Sequence, residues 1–386
     1  MRLAIHLTFK EIWHAKGRYL LVSLIVALIT TLVLFIAALA EGLGAGNREY
    51  LEKLNGELVI YQENSDLSVA ASRVGRSKLA AIRRVAGVED AGQVGTSSAT
   101  LVFPDGREPL DISLLGVEPG KPGEPPAFAG RQLGRSRANE AILDRNTALR
   151  TGLQVGDILT IKSIQGTEEE LYDLEVVGIS DGRQFFLQPS VFVPYLTFEK
   201  VQPQGTGGGN RGELVSNIVV AKLTDPAALE QVAARIEQDV GGVDAVDRVT
   251  AYMATPGYTA QQSTLDTQRY FTFFIGILVI GGFFQIQTLQ KVAQIGMLKA
   301  IGTANRVIAI TALSQIVTIN ALGVFIGAVG SLLLSLTFPA AVPIVFTGES
   351  VASAVIALLL IGPLGGLVSV WLLLRVEPLT ALGLAQ

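Results

Sequence analysis

No cysteine occurs anywhere in this chain, which excludes a disulfide framework, a thiolate metal site and a cysteine nucleophile. Histidine is almost as scarce: His6 and His14 are the only two, and both precede the first apolar run. Their eight-residue spacing provides no i,i+4 pair, so they read as interfacial residues rather than haem or metal ligands. Charge is also sparse. Asp, Glu, Lys and Arg make up 17% of the 386 residues, against about 25% in ordinary soluble proteins. Apolar residues reach 49% and mean hydropathy is +0.45, a balance that points to a membrane. The formal net charge of −4 gives no reason to expect nucleic acid as a partner.

Catalytic signatures are missing as well. Gly207-Gly-Gly-Asn-Arg-Gly212 has dinucleotide-loop spacing but does not open a helix after a strand. Gly116-Val-Glu-Pro-Gly-Lys121 has one residue too few for a phosphate loop, lacks the following Ser or Thr, and runs into Pro122. No Gly-x-Ser-x-Gly or His-Glu-x-x-His occurs. The expectation is therefore a non-enzyme with no catalytic residue, no metal site and no cofactor of its own.

What is present is four long apolar runs, 19–40, 270–290, 307–338 and 351–374. Each is long enough, at about 1.5 Å per residue, to cross a hydrocarbon layer of about 30 Å. Segment 1–18 carries Arg2, Lys10, Lys16 and Arg18 against one acid, Glu11, and reads as a cytoplasmic amphipathic lead-in. Ala38-Leu-Ala40 resembles a signal cleavage site, but the run before it exceeds the 7–15 residues of a signal core, so a retained span is expected. Residues 41–269 form a large polar region expected outside the cytoplasm, with stalk-like helical ends. Its interior reads as α+β. Short strands are expected near 58–61, 171–179, 190–195, 214–223 and 245–250, and a hairpin over 99–103 and 110–115. A helix over 225–240, capped by Thr224 or Asp225, has Pro226 in its first turn. Gly323, Gly327 and Gly330 could allow close helix contact, and Gly362-Pro-Leu-Gly-Gly366 should kink the last span. Gln285 and Gln287 read as helix-to-helix hydrogen-bonding groups. The predicted fold class is a four-span α-helical membrane protein with a large extracytoplasmic α+β domain between spans one and two.

The most specific stretch joins spans two and three. Residues 291–306 carry Lys291, Lys299 and Arg306 with no acid, the mark of a cytoplasmic loop. Ile295, Leu298 and Ile301 are spaced to share one face of a short helix, and Gly302 can end it in a left-handed conformation. An outer loop, 339–350, lacks Lys and Arg, and residues 375–386 form a cytoplasmic tail. Both termini are thus expected in the cytoplasm of a multi-pass protein.

With these residues in view, the chain resembles the FtsX/MacB-like (type VII) family of ABC transporter permeases over essentially its whole length. Gln294-Ile-Gly-Met-Leu-Lys-Ala-Ile-Gly302 is similar to that family's coupling loop, with Gln294 where the family usually has Glu. Arg375-Val-Glu-Pro-Leu-Thr-Ala-Leu382, Leu54-Asn-Gly-Glu-Leu-Val-Ile60, Val155-Gly-Asp157 and Val176-Val-Gly-Ile179 resemble further family segments. The resemblance implies a bacterial cell-membrane (inner-membrane) protein and a permease homodimer with two copies of a separate ABC ATPase subunit, which holds ATP and Mg. It implies mechanotransmission: closure of the ATPase pair moves the coupling helices, and stalks carry the motion outward. Gln294, Gly296, Leu298, Lys299, Ala300 and Gly302 would form the ATPase-coupling loop.

The expected function is export of an amphiphilic or membrane-embedded substrate (haem, lipid or peptide). The haem-exporter and DevC-like branches are similar in layout, and the short N-terminal tail and Gly42-Leu-Gly-Ala-Gly46 resemble the former. The alternative is a non-transporting signal transducer that activates an extracytoplasmic hydrolase or sensor. Tyr50, Met253 and Tyr258 are the candidate substrate contacts.

Overall fold

The computed structural model describes residues 16–203, 214–290, 292–339 and 342–375. Residues 1–15 with both histidines, the glycine run 207–212, Lys291 and the tail 376–386 lie outside the described residues. The chain divides into two compact units, Met1–Gly42 with Gln262–Gln386, and Leu43–Gln261.

Helix α1 runs unbroken over Lys16–Glu52. Two of its glycines, Gly42 and Gly46, stay within the helix and make room for neighbours. A Cβ on Gly42 would lie 1.8 Å from the Pro343 carbonyl oxygen, and one on Gly46 would lie 2.6 Å from Leu187.

In the unit Leu43–Gln261, the elements run β1 (Leu58–Gln62), β2 (Val74–Gly75), α2 (Arg76–Ile82), β3 (Val88–Val102), β4 (Leu110–Val117), β5 (Ala127–Gly130) and β6 (Glu140–Leu143). They continue with α3 (Arg145–Thr151), β7 (Ile158–Gln165), β8 (Glu168–Ser180), β9 (Ser190–Pro194), α4 (Tyr195–Val201), β10 (Val215–Ser216) and β11 (Ile218–Leu223). A 3-10 turn, Pro226–Ala228, leads into α5 (Leu229–Val240), followed by β12 (Val243–Asp247) and α6 (Arg248–Met253). The main sheet has the order β12-β1-β11-β3-β4-β9-β6-β8-β5, with β7 joining β3 to β8.

Strand β1 is apolar at consecutive positions because both its faces are covered. Leu58 and Ile60 pack with Leu79, Ile82, Val232 and Ile236 of α2 and α5. Val59 and Tyr61 pack with Tyr50, Leu51 and Leu54 at the end of α1. A third cluster lies between β3, β4, β7, β8, β9 and α4, around Leu101, Leu114, Ile161, Val191 and Phe198.

The expected hairpin is present, with Ala99 opposite Ile112 and Leu101 opposite Leu110. Its first strand is three times longer than the sequence pattern suggests, spanning Val88–Val102. Gly92 and Gly95 disguise it: a Cβ at Gly92 would lie 2.0 Å from the Pro122 carbonyl oxygen, and one at Gly95 would lie 2.5 Å from the Phe198 ring. The single strand expected near 214–223 is split at buried Asn217, whose side chain bonds Thr96 N at 2.7 Å and the Val69 carbonyl at 2.8 Å. The strand expected to reach residue 250 ends at Asp247, which caps α6 by accepting from Thr250 N. Asp225 likewise caps the turn that starts at Pro226, as proline's fixed φ suits a first helical position.

In the other unit, α1 is joined by α7 (Tyr258–Gln290), α8 (Val292–Ala300), α9 (Asn305–Ser335) and α10 (Gly348–Arg375). Four of its helices are long and apolar enough to cross a membrane. Val26, Ile280, Phe284, Ile316, Ile319, Leu358 and Ile361 fill the space between them. Gly323 and Gly327 are contact points: a Cβ at either would come within 2.5 Å of Val26 or of the Ala27 carbonyl oxygen. Thr31 Oγ1 donates to the Gly327 carbonyl at 3.0 Å across the same seam. Gly281 of α7 and Gly365 of α10 bring two backbones together in the same way. Gln285 and Gln287 do not make the expected bonds. Gln285 is exposed, and Gln287 is buried with its Nε2 unpartnered among the described residues. Despite Pro363, α10 is helical throughout.

Candidate coupling surface

The stretch singled out by sequence folds as α8, a helix of nine residues held between α7 and α9. Its end is a complete glycine cap. Gly302 has φ +94°, its N–H donates to the Lys299 carbonyl at 2.9 Å, and Thr303 N donates to the Leu298 carbonyl at 3.0 Å. Those two bonds satisfy carbonyls that a helix end otherwise leaves open.

The expected apolar face is not buried as a unit. Ile295 alone packs inward, against Ile308 and Ala312 of α9. Leu298 is 45% exposed, Met297 56% and Ile301 77%. Gln294 and Ala300 are exposed too, while Gly296 is buried. In about two and a half turns only Ile295 meets α9, so a single isoleucine anchors the helix while Met297, Leu298 and Ile301 face outward. Lys299 lies across the end of α10, its Nζ donating to the Leu374 carbonyl at 2.9 Å. A cation at a helix C-terminus is favoured by the helix dipole. The result is a short helix fixed at one side chain, one cap and one lysine, presenting Gln294, Met297, Leu298 and Ile301 outward. Met297 and Leu374 were not singled out by sequence. Met297 lies in the motif, whereas nothing local marks a carbonyl acceptor.

In the other unit, the end of α1 is bound to the loop between β8 and β9. Lys53 Nζ bonds Glu49 and the Gly182 carbonyl, each at 2.8 Å. Arg183 donates to the Lys53 carbonyl and, through Nε, to Asp181 at 3.0 Å. Its backbone N–H donates to Asp144 at 2.6 Å. Asp144 is fully buried and caps α3. Burial pushes its pKa up to about 6 and the Glu49 carboxylate adds to this, while the backbone donors of Arg183 and Asn146 pull the other way. Lys53 and Arg183 lie 130 residues apart in sequence, and no motif announces these groups.

The expected substrate contacts fare unequally. Tyr50 is a core residue: it is 1% exposed, its hydroxyl donates to the Gly123 carbonyl at 3.0 Å, and Phe185 and Phe192 flank its ring. Burial raises its pKa further above the ordinary tyrosine value. It offers no surface to a ligand. Tyr258 is buried against Tyr252, with ring centroids 5.8 Å apart. Met253 is half-exposed at the end of α6. Of the Gly116–Lys121 stretch, Gly116 and Val117 belong to strand β4, and Lys121 pairs with Asp90 at 2.9 Å.

Residues 19–239 match the MacB-like periplasmic core domain family, and residues 270–378 match the FtsX-like permease C-terminal family. A protein named hemin transport system permease protein HrtB, from Staphylococcus haemolyticus, is 26% identical over 379 residues, covering 98% of this chain and 99% of its own length. One of the same name from Staphylococcus epidermidis is 24% identical, covering 99% of this chain and 100% of its own. Among solved structures, the extracellular domain of the noncanonic ABC-type transporter YknZ from Gram-positive bacteria covers 50% of this chain and 100% of its own at 15% identity and a TM-score of 0.35. The periplasmic region of MacB from Actinobacillus actinomycetemcomitans covers 52% and 92%, at 13% identity and a TM-score of 0.37.

Proposed function

Because this chain belongs to the FtsX/MacB-like (type VII) family of ABC transporter permeases, we propose that it couples ATP hydrolysis in a separate ATPase subunit to export of an amphiphilic, membrane-embedded substrate. It does so by mechanotransmission, as a homodimer bound to two ATPase copies, with both termini and α8 in the cytoplasm. The observation that carries this reading is α8 itself, an anchored helix whose exposed Gln294, Met297, Leu298 and Ile301 form a surface for an ATPase to grip. Gln294 meets that partner through an amide rather than a carboxylate. Movement of α8 passes to the spans, and the turns of α1 around Glu49 and Lys53 deliver it to the outer unit. Hemin is the first substrate to test, given the names of the relatives. Without outer histidines, it would be held by apolar packing and by groups such as the half-exposed Met253, Tyr50 and Tyr258 being buried in the core.

The deciding experiment is ATPase activity of the permease co-purified with its ATPase in lipid, against hemin, lipids and amphiphilic peptides. Saturable stimulation by hemin is expected, and is lost in Gly296→Pro, which breaks α8, and in Lys299→Glu, which removes the tie to Leu374. Full coupled activity in both variants would sink the coupling assignment. Stimulation by an extracytoplasmic protein alone would replace export with signal transduction.

A further inference from the structure

Proline inside a helix removes one backbone donor, so the carbonyl four residues earlier loses its partner. In α10 that proline is Pro363 and the carbonyl is that of Leu359. In hydrocarbon such a carbonyl must be met from within the protein. Here a neighbouring helix meets it. Asn320 of α9, 1% exposed, donates its Nδ2 protons to the Leu359 carbonyl and the Leu358 carbonyl, both at 3.0 Å.

The geometry is built for that amide. A Cβ on Gly362 would lie 2.5 Å from Asn320 Cγ, so only glycine lets the side chain reach the α10 backbone. Gly366 admits Ile316, one turn from Asn320 on α9, with an added Cβ only 2.4 Å from its Cδ1. Asn320 uses only its donor side, since Oδ1 has no partner among the described residues. That is what a substitute for a missing N–H requires.

We infer that Asn320, Gly362 and Pro363 form a latched hinge in the last span. The Asn320 amide replaces the donor Pro363 lacks and holds the two halves of α10 in one alignment. When the latch opens, the half beyond Pro363 bends. That half ends at the Leu374 carbonyl, which Lys299 of α8 holds, so motion of the coupling helix reaches the hinge along the helix it bends. Asn320 is thus a positioning residue for coupling. The link to α8 rests on the function proposed above, whereas the hinge does not.

The native absence of cysteine makes the test direct. Spin labels at Ala352→Cys and Leu367→Cys, both exposed positions of α10, flank Pro363 about 22 Å apart along a helix. The distances are measured in the full chain in lipid nanodiscs, without ATPase. With labelled chains diluted into an excess of unlabelled ones, so that only distances within one chain are read, the native chain should give one narrow distribution, and Asn320→Leu should widen it about two-fold, as expected at a proline whose freed carbonyls lack a partner. Gly362→Ala should do the same by displacing the amide. In Asn320→Leu combined with Pro363→Ala the backbone bond returns, and the narrow distribution with it. Equal widening with and without Pro363, or none in Asn320→Leu, would overturn the hinge. Because no ATPase is present, failure of α8 to couple leaves these outcomes unchanged. An intact hinge with full coupling in Asn320→Leu would remove only the role in coupling.

Discussion

In the unit Leu43–Gln261 many glycines sit at positive φ with free space around them, as at Gly106, Gly152, Gly156 and Gly166; in the other unit only Gly302, among the described residues, has a positive φ. There Gly42, Gly323, Gly327, Gly362 and Gly366 lie where a Cβ would collide with a neighbouring segment, a use of glycine that the unit Leu43–Gln261 also makes at Gly92, Gly95 and Gly116 in addition to its turns. Buried polar groups divide along the same line. The first unit buries Asp144 and Arg183, whereas the apolar helices bury the neutral Ser23, Thr30, Gln287, Gln315, Asn320 and Ser331. A domain in water uses glycine to turn the chain and can neutralise a buried charge with backbone donors. Helices in lipid gain no hydrophobic advantage from meeting each other, so they depend on close approach and on neutral hydrogen bonds.

This contrast can be broken most forcefully at Gly327. Gly327→Leu should lower stability by more than about 3 kcal/mol, since backbone rather than a movable side chain blocks the space. Thermal unfolding in detergent reads it, and a melting point equal to the native one would refute contact as the role of that glycine. Asp144 gives the next effect. Its folded pKa of about 6 exceeds the unfolded value of about 3.9, so the folded chain binds the proton more tightly. That stabilisation is complete below about pH 4 and lost as pH rises through 6, a change of about 2–3 kcal/mol. Asp144→Asn keeps one acceptor oxygen for the cap, loses the other at a cost that does not vary with pH, and has no proton to lose. Relative to the native chain it should therefore gain that amount between pH 4 and 7, read by proteolysis of the opened outer unit. A pH-independent difference would assign Asp144 no such role. The smallest effect is at Gly152, with φ +74° and nothing within 4 Å of an added Cβ. Gly152→Ala should cost about 1 kcal/mol, and Gly152→Asn less, because asparagine tolerates the left-handed region. Equal costs would mean that the site is limited by space, like those among the apolar helices.

Local pattern made the spans, the α8 helix with its Gly302 cap, the hairpin at Ala99–Ile112 and the Asp225-Pro226 helix start legible in the sequence, because each is decided within a few residues. The rest depends on partners far along the chain. Gly92 and Gly95 hide strand β3 because Pro122 and Phe198, not their neighbours, require them. Tyr50 looked available because an aromatic near a stalk says nothing of the loop that covers it. At α8 the residue types were readable, but which apolar side chains face outward depended on the packing against α9, where Ile295 meets Ile308 and Ala312. Asn320 and Pro363 are each visible in sequence, and only their meeting across two helices gives them meaning.

Strand β1 has a consequence for how the protein is made. Its two neighbours in the sheet are β11 and β12, so Leu58–Gln62 leaves the ribosome about 160 residues before its first pairing partner, a wait of roughly 8–30 s at bacterial translation rates. Throughout that interval a strand apolar on both faces follows directly behind the first span with nothing to pair with. Biogenesis of the outer unit therefore depends on shielding that segment during synthesis. Slowing translation between residues 62 and 218 should raise aggregation and degradation of the nascent chain more than the same delay placed after residue 247.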